Sequence, residues 1–179
     1  ALIRARFAKG TPDTKGRMYY PTVVPTGPDL KKAAAKGLRR VARDMATTPL
    51  PMFGAKGIPY LAGRLRKYET KLGNRRALLF LGNLIRMQEE IGTGGAGFRF
   101  MYAAFLQEAA ALLEKPELRE KAKEMTRIGD LWREFAFEAG RMVKGRAEAG
   151  STFASMADKL DVIGKAEQMF FKDLMRISK

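Results

Sequence analysis

Apolar residues return every third or fourth position along most of this chain, with charged residues between them, the pattern of helices that turn one face to a core. Leu30, Ala33, Ala34, Leu38, Val41, Ala42 and Met45 form the first such face, opened by Asp29 in cap position and closed by Thr47-Thr48-Pro49. The linker 49–59, rich in Pro and Gly, predicts irregular backbone. Tyr60 to Lys71 then reads as a short basic helix exposing Arg64, Lys67 and Lys71 along one side. Gly73-Asn74 ends it and caps the next helix, Asn74 to Ile91, which carries Leu78, Leu79, Leu81, Leu84 and Ile85.

Past a glycine-dense joint, a helix from Gly97 to Glu114 places Phe98, Met101, Phe105, Glu108 and Leu112 inward by heptad count, with Tyr102 and Ala109 on the same face. Lys115-Pro116-Glu117 breaks it and starts another, since proline suits a helix's first turn. The seam Leu118, Met125, Ile128, Trp132, Phe135, Ala139 and Met142 follows, with Trp132 read as a core residue and Gly150 as the stop. Ser151 caps a final helix with the seam Phe153, Met156, Leu160, Ile163, Glu167, Phe170, Leu174 and Ile177, antiparallel to the one before it. Methionines 101, 125, 142, 156, 169 and 175 fill gaps on these faces.

The N-terminus differs. Leu2 to Ala8 reads as a short helix, Gly10 to Gly16 as turn, and Met18 to Pro25 as an extended strap, because each proline biases its predecessor away from helix. The expected fold is all-α, an irregular multi-helix bundle with an extended, Pro-rich N-terminal strap. Residues 1–28 form the strap or a junction with an upstream region, and 29–179 the helical domain.

Composition then narrows the chemistry. With no cysteine and no histidine among 179 residues there is no disulfide framework, no Ser-His or Cys-His pair and no ordinary zinc site. No catalytic residue, metal ligand or cofactor is assigned, and a cytoplasmic chain without a membrane span is expected. The net charge of +15 is lopsided: residues 1–90 hold 19 Lys/Arg against 6 Asp/Glu, and 91–179 hold 15 against 13. A basic half suits an acidic partner. The cations are spread over several elements without an aromatic platform or DNA-reading motif, so nucleic acid is the less favoured partner.

The joint itself, Glu89 to Tyr102, holds Gly92, Gly94, Gly95 and Gly97, four glycines in six residues. Such a stretch is either a C-cap and tight turn between helices or a cradle whose N–H groups, with Arg99 beside them, receive a carboxylate or phosphate. It is not a Walker loop, since no Lys-Ser/Thr follows. Glu108, a carboxylate set among apolar positions, either reaches water at the stripe's edge or holds Arg99 or a substrate amine.

The run Glu89-Glu90-Ile91-Gly92-Thr93-Gly94-Gly95, then Phe98-Arg99, Tyr102, Phe105-Leu106-Gln107-Glu108-Ala109-Ala110 and Leu131-Trp132, resembles the C-terminal helical domain, of unknown function, in butirosin biosynthesis protein H-like acyltransferases. The resemblance extends from the Pro28-Asp29 helix through Phe53-Gly54-Ala55-Lys56-Gly57 to about Arg146, with Lys56 where the family pattern often has Asn. It implies an acyltransferase that moves an aminoacyl group from a carrier protein's thioester to an amine. The nucleophilic cysteine and its histidine would lie in a papain-like region upstream, and the stretch Leu2 to Lys9 would be the end of that region. This chain would then be the helical half alone, an accessory or substrate-pocket domain with an acidic carrier protein and an upstream catalytic domain as partners. The substrate-binding set under that reading is Gly92, Thr93, Gly94, Gly95, Arg99, Tyr102 and Glu108. The alternatives are a structural module that forms a homo-oligomer through its last two helices, and a nucleic-acid binder that uses the basic half.

Overall fold

A computed structural model describes residues 17, 20–23, 27 and 29–178. Most of the expected strap and the Leu2 to Ala8 helix lie outside the described residues; Tyr20 and Val23, which lie within them, are exposed. The fold is all-α, and among the described residues seven helices and no strand occur. They are α1 (Leu30–Thr47), α2 (Gly57–Leu65), α3 (Tyr68–Leu72), α4 (Asn74–Glu89), α5 (Arg99–Leu112), α6 (Glu117–Val143) and α7 (Phe153–Ile177). No helix among the described residues is long and apolar enough to cross a membrane.

The two long helices are the frame. Lys121 faces Asp173, Trp132 faces Glu167 and Glu138 faces Lys159, a reversed order that makes α6 and α7 antiparallel. The expected seam of α6 is buried at every position, from Leu118 through Trp132 to Met142. On α7 the seam is buried from Phe153 to Leu174, with Glu167 fully enclosed within it. Helices α4 and α5 cover one side of this pair through α6, and α1 and α2 cover the other through α7.

The structure moves several boundaries. Asp29 caps α1 as expected, accepting from the Lys32 N–H at 2.8 Å. The linker is more ordered than its composition implies: Gly54–Lys56 form a turn of 3-10 helix, α2 starts at Gly57 with Pro59 in its first turn, and Ala55 and Ile58 enter the core. The basic helix is two short ones, α2 and α3. Gly73, not Asn74, takes the cap position before α4, and no side chain caps it.

Helix α6 stops at Val143 rather than Gly150. Gly145 adopts φ 67° there, and the Arg146 N–H reaches the Arg141 carbonyl at 2.8 Å while the Gly145 N–H reaches Met142, the double closure that a glycine just past a helix favours. The final helix is capped by Thr152, paired reciprocally with Ser155, in place of Ser151.

The largest correction concerns α5. Its inner face is Ala103, Leu106, Ala109 and Ala110, whereas Phe98, Met101, Leu112 and Glu108 are exposed. Small side chains suit that face because α5 packs tightly against α6, where a Cβ added to Gly129 would sit 2.7 Å from the Phe100 ring. Of the heptad drawn through the bulkiest apolar residues, only Phe105, with Tyr102 and Ala109 on its face, packs against the core. Leu79 on α4 and Met169 on α7 are likewise exposed, at 66% and 65%.

Candidate functional site

The glycine joint winds the wrong way for L-residues. From Gly94 to Phe98, φ is positive at five successive positions, 66°, 84°, 50°, 52° and 70°. Ala96 and Phe98 lack glycine's freedom, and each carries about 1–2 kcal/mol of strain. Local hydrogen bonds hold them there. Thr93, only 5% exposed, donates its hydroxyl to the Gln88 carbonyl at 2.8 Å and accepts from the Gly95 N–H. Glu89 accepts from the Ala96 N–H at 3.1 Å through one oxygen, and its other oxygen lies 3.1 Å from Arg133 Nη1. The Thr93 carbonyl accepts from the Phe98 N–H at 3.2 Å. The N–H groups of Gly95, Ala96 and Phe98 thus already meet acceptors of the protein, one of them a carboxylate.

Arg99 follows immediately and turns inward. Its Nε and Nη2 donate to the two oxygens of Glu167 at 2.7 and 3.0 Å, and its Nη1 donates to the Gly97 carbonyl at 2.8 Å. Trp132 donates its indole N–H to the same Glu167 at 2.7 Å, and the guanidinium lies 5.0 Å from the centre of the indole. A forked pair of this kind is among the strongest polar contacts a protein makes. It brings α5, α6 and α7 to one point. Of five guanidinium N–H groups, these bonds use three, and Arg99 also lines a cleft beside the pair.

That cleft has a volume of ≈ 270 Å³ and is almost wholly apolar. Val41 and Met45 of α1 line it with Met125 of α6 and Phe171 of α7, and Gly97, Phe98, Arg99 and Tyr102 close it from the joint and α5. Tyr102 stacks on Phe105 at 5.7 Å, and its hydroxyl is buried without a hydrogen-bond partner among the described residues. An orphaned buried hydroxyl needs a reason, since most such groups are paired. Phe98, pushed outward by its left-handed backbone, is 52% exposed, and with Val41 it makes the cleft's rim apolar.

Burial raises the Tyr102 phenol above the ordinary value near 10. The folded state therefore keeps this proton where the unfolded chain loses it. Its contribution to stability is whole below about pH 10 and is lost as the pH climbs past that value. In an alkaline titration followed by phenolate absorbance, one of the five tyrosines should ionise only as the helices melt. Ionisation of all of them in an intact fold would contradict this placement.

Of the residues marked by sequence, Arg99 and Tyr102 reach the cleft. Gly92, Thr93, Gly94 and Gly95 shape the joint without lining it. Glu108 lies nine residues beyond Arg99, half a rotation round the helix and about 13 Å along it, and is exposed. The carboxylate that holds Arg99 is Glu167, which showed itself in the sequence only as a lone charge in an apolar seam. Val41, Met45, Met125 and Phe171 carried no signal beyond that of core residues. Three wider depressions lie elsewhere: ≈ 680 Å³ between α4 and α6 around Gly82 and Phe137, ≈ 510 Å³ on α1 beside Lys36, Arg39, Arg40 and Arg43, and ≈ 380 Å³ on α2 and α3. No group of three or more acidic side chains among the described residues could hold a metal ion.

Residues 1–174 match the family described as Domain of unknown function (DUF4872), and the chain belongs to it. No curated protein and no solved structure matches the chain.

Proposed function

We propose that this member of the DUF4872 family serves as the pocket-forming helical part of an acyltransferase or amide-forming enzyme of the butirosin biosynthesis protein H-like kind, binding substrate without supplying a nucleophile. The observation that carries the reading is the cleft at the glycine joint. It offers an apolar wall with Arg99, whose charge is already matched, and Tyr102 in its lining, and the Tyr102 hydroxyl is buried without a partner among the described residues. Such a site suits a neutral carbonyl with an apolar chain better than a free carboxylate, since Glu167 already occupies the guanidinium's fork. Arg99 would anchor the carbonyl oxygen and Tyr102 would orient it by donating its proton. Glu167 and Trp132 would fix Arg99, as a site's supporting residues must.

An acyl carrier is the fitting donor partner. The depression on α1, with Lys36, Arg39, Arg40 and Arg43 on one side of a helix, offers an acidic carrier protein a complementary face. Catalysis would come from a cysteine and histidine outside this chain's own sequence.

Trp132, the single tryptophan, reports on the cleft through Arg99. Titrating an N-acetylcysteamine acyl thioester should change its fluorescence saturably, with no hydrolysis of the thioester by the chain alone. Tyr102→Phe should weaken that binding by roughly two- to tenfold, the worth of one neutral hydrogen bond. Turnover by the chain itself would overturn the absence of a nucleophile. A flat titration would remove the pocket.

A further inference from the structure

A second constellation lies on α2 and α3, away from the cleft. Tyr60, Arg64 and Tyr68 stand four residues apart, so their side chains stack along one side of the helix pair. Arg64 Nε donates to the Tyr68 hydroxyl at 3.2 Å and Nη1 donates to the Tyr60 hydroxyl at 3.4 Å. The guanidinium carbon lies 5.8 and 5.9 Å from the two ring centres. Tyr68 is itself braced by the edge of Phe80, ring centres 4.5 Å apart at 68°. An exposed arginine is thereby held in one place by phenols rather than by a carboxylate.

Lys67 and Lys71 share the adjoining depression of ≈ 380 Å³, floored by Pro59 and Gly63. Neighbouring Arg66 shows what a structural arginine does in this region, binding both Asp158 and Asp161 of α7. Among the described residues, Arg64, Lys67 and Lys71 form no such ion pair. Each phenol oxygen accepts from Arg64 and keeps its own O–H to donate. Every polar side chain lining the depression is therefore a donor, and three of them are cationic.

A ligand for this place must bring acceptors and more than one negative charge. A carboxylate has two oxygens and a single charge, whereas a phosphate monoester has three terminal oxygens and close to two charges near neutral pH. Guanidinium and ammonium donors around a planar fork are the recognised means of holding that group. We infer that the clamp of Tyr60, Arg64 and Tyr68, with Lys67 and Lys71, is a binding site for a phosphate group. The group could arrive as the free ion or as the head of a small phosphomonoester.

Isothermal titration of the whole chain with inorganic phosphate, phenyl phosphate and benzoate tests this. At least one phosphate should bind saturably at millimolar concentration or below, at least about tenfold tighter than benzoate. Affinity for inorganic phosphate identifies the free ion as sufficient; affinity confined to phenyl phosphate identifies the ester. Arg64→Gln, an exposed change that should leave the helical circular dichroism untouched, should raise Kd by roughly ten- to a hundredfold. Tyr60→Phe and Tyr68→Phe should each raise it by roughly two- to tenfold. Arg119→Gln removes an equal charge from the exposed side of α6 and should change Kd less than about twofold. Benzoate binding as tightly as phosphate, equal weakening by Arg119→Gln and Arg64→Gln, or no saturation with either phosphate would overturn the assignment.

Discussion

Replacing Arg99 by alanine should cost about 3–5 kcal/mol of stability, because it strands a carboxylate in the core without its counterion. Glu167 is fully buried, and Arg99 supplies two of the three hydrogen bonds that satisfy it, Trp132 the third. Urea unfolding should show a much lower midpoint at an unchanged slope. The double replacement Arg99→Met with Glu167→Leu should recover most of the loss, since a hydrophobic pair of similar size often matches or exceeds a buried ion pair. A single Arg99→Ala variant within 1 kcal/mol of the parent, itself about the net worth of one ordinary hydrogen bond, would show that Glu167 finds another partner. Activity lost on removing Arg99 thus reports on folding first, and Tyr102→Phe is the cleaner probe of the cleft.

Gly54→Ala should be the most damaging single methyl. Gly54 has φ +60°, and a Cβ there would lie 2.7 Å from the Met45 carbonyl oxygen and 2.8 Å from the Thr48 methyl. A backbone carbonyl at the end of α1 has nowhere to go. The left-handed φ costs an alanine about 1–2 kcal/mol, and the overpacking adds about 1–3 kcal/mol. The damage should spread, because this turn feeds Ala55 and Ile58 into the core and sets Pro59 against Gly164 of α7. Gly37→Ala is the matched control: it lies in α1 with nothing within 4 Å of its would-be Cβ. There the methyl should add about 0.5–1 kcal/mol of stability. Thermal melts of the two variants shifted in the same direction would refute the contrast.

The long-period information in the sequence carried the fold. Seven apolar residues at three-four spacing on α6 are all buried, because a long helix pressed between α4, α5 and α7 leaves its seam no other place. Short or tightly packed segments were less legible. On α5, the buried positions are three alanines and Leu106 while Phe100, Tyr102 and Phe105 are only partly buried, since the distance between two helices rewards small side chains where they nearly touch. In the linker 49–59, Pro and Gly read as punctuation, yet there they make a tight turn and start a helix. The joint's left-handed backbone was legible at its glycines and hidden at Ala96 and Phe98, whose φ is imposed by Thr93 and Glu89. As for the cleft, Arg99 and Tyr102 stood out by position, but their surroundings come from α1, α6 and α7, which only folding brings together.

The closed pairing of Arg99 with Glu167 makes the two surfaces differ in how they respond to ionic strength. A cleft whose arginine is neutralised from within presents little net field, so added salt should leave its affinity for an uncharged ligand nearly constant. Exposed ammonium and guanidinium groups around Tyr60 and Tyr68 lie open to a counterion cloud about 8 Å thick at physiological ionic strength, and attraction there should fade as added salt draws that cloud in. Varying the sodium chloride concentration alone should therefore tell a ligand of one surface from a ligand of the other, with no residue changed.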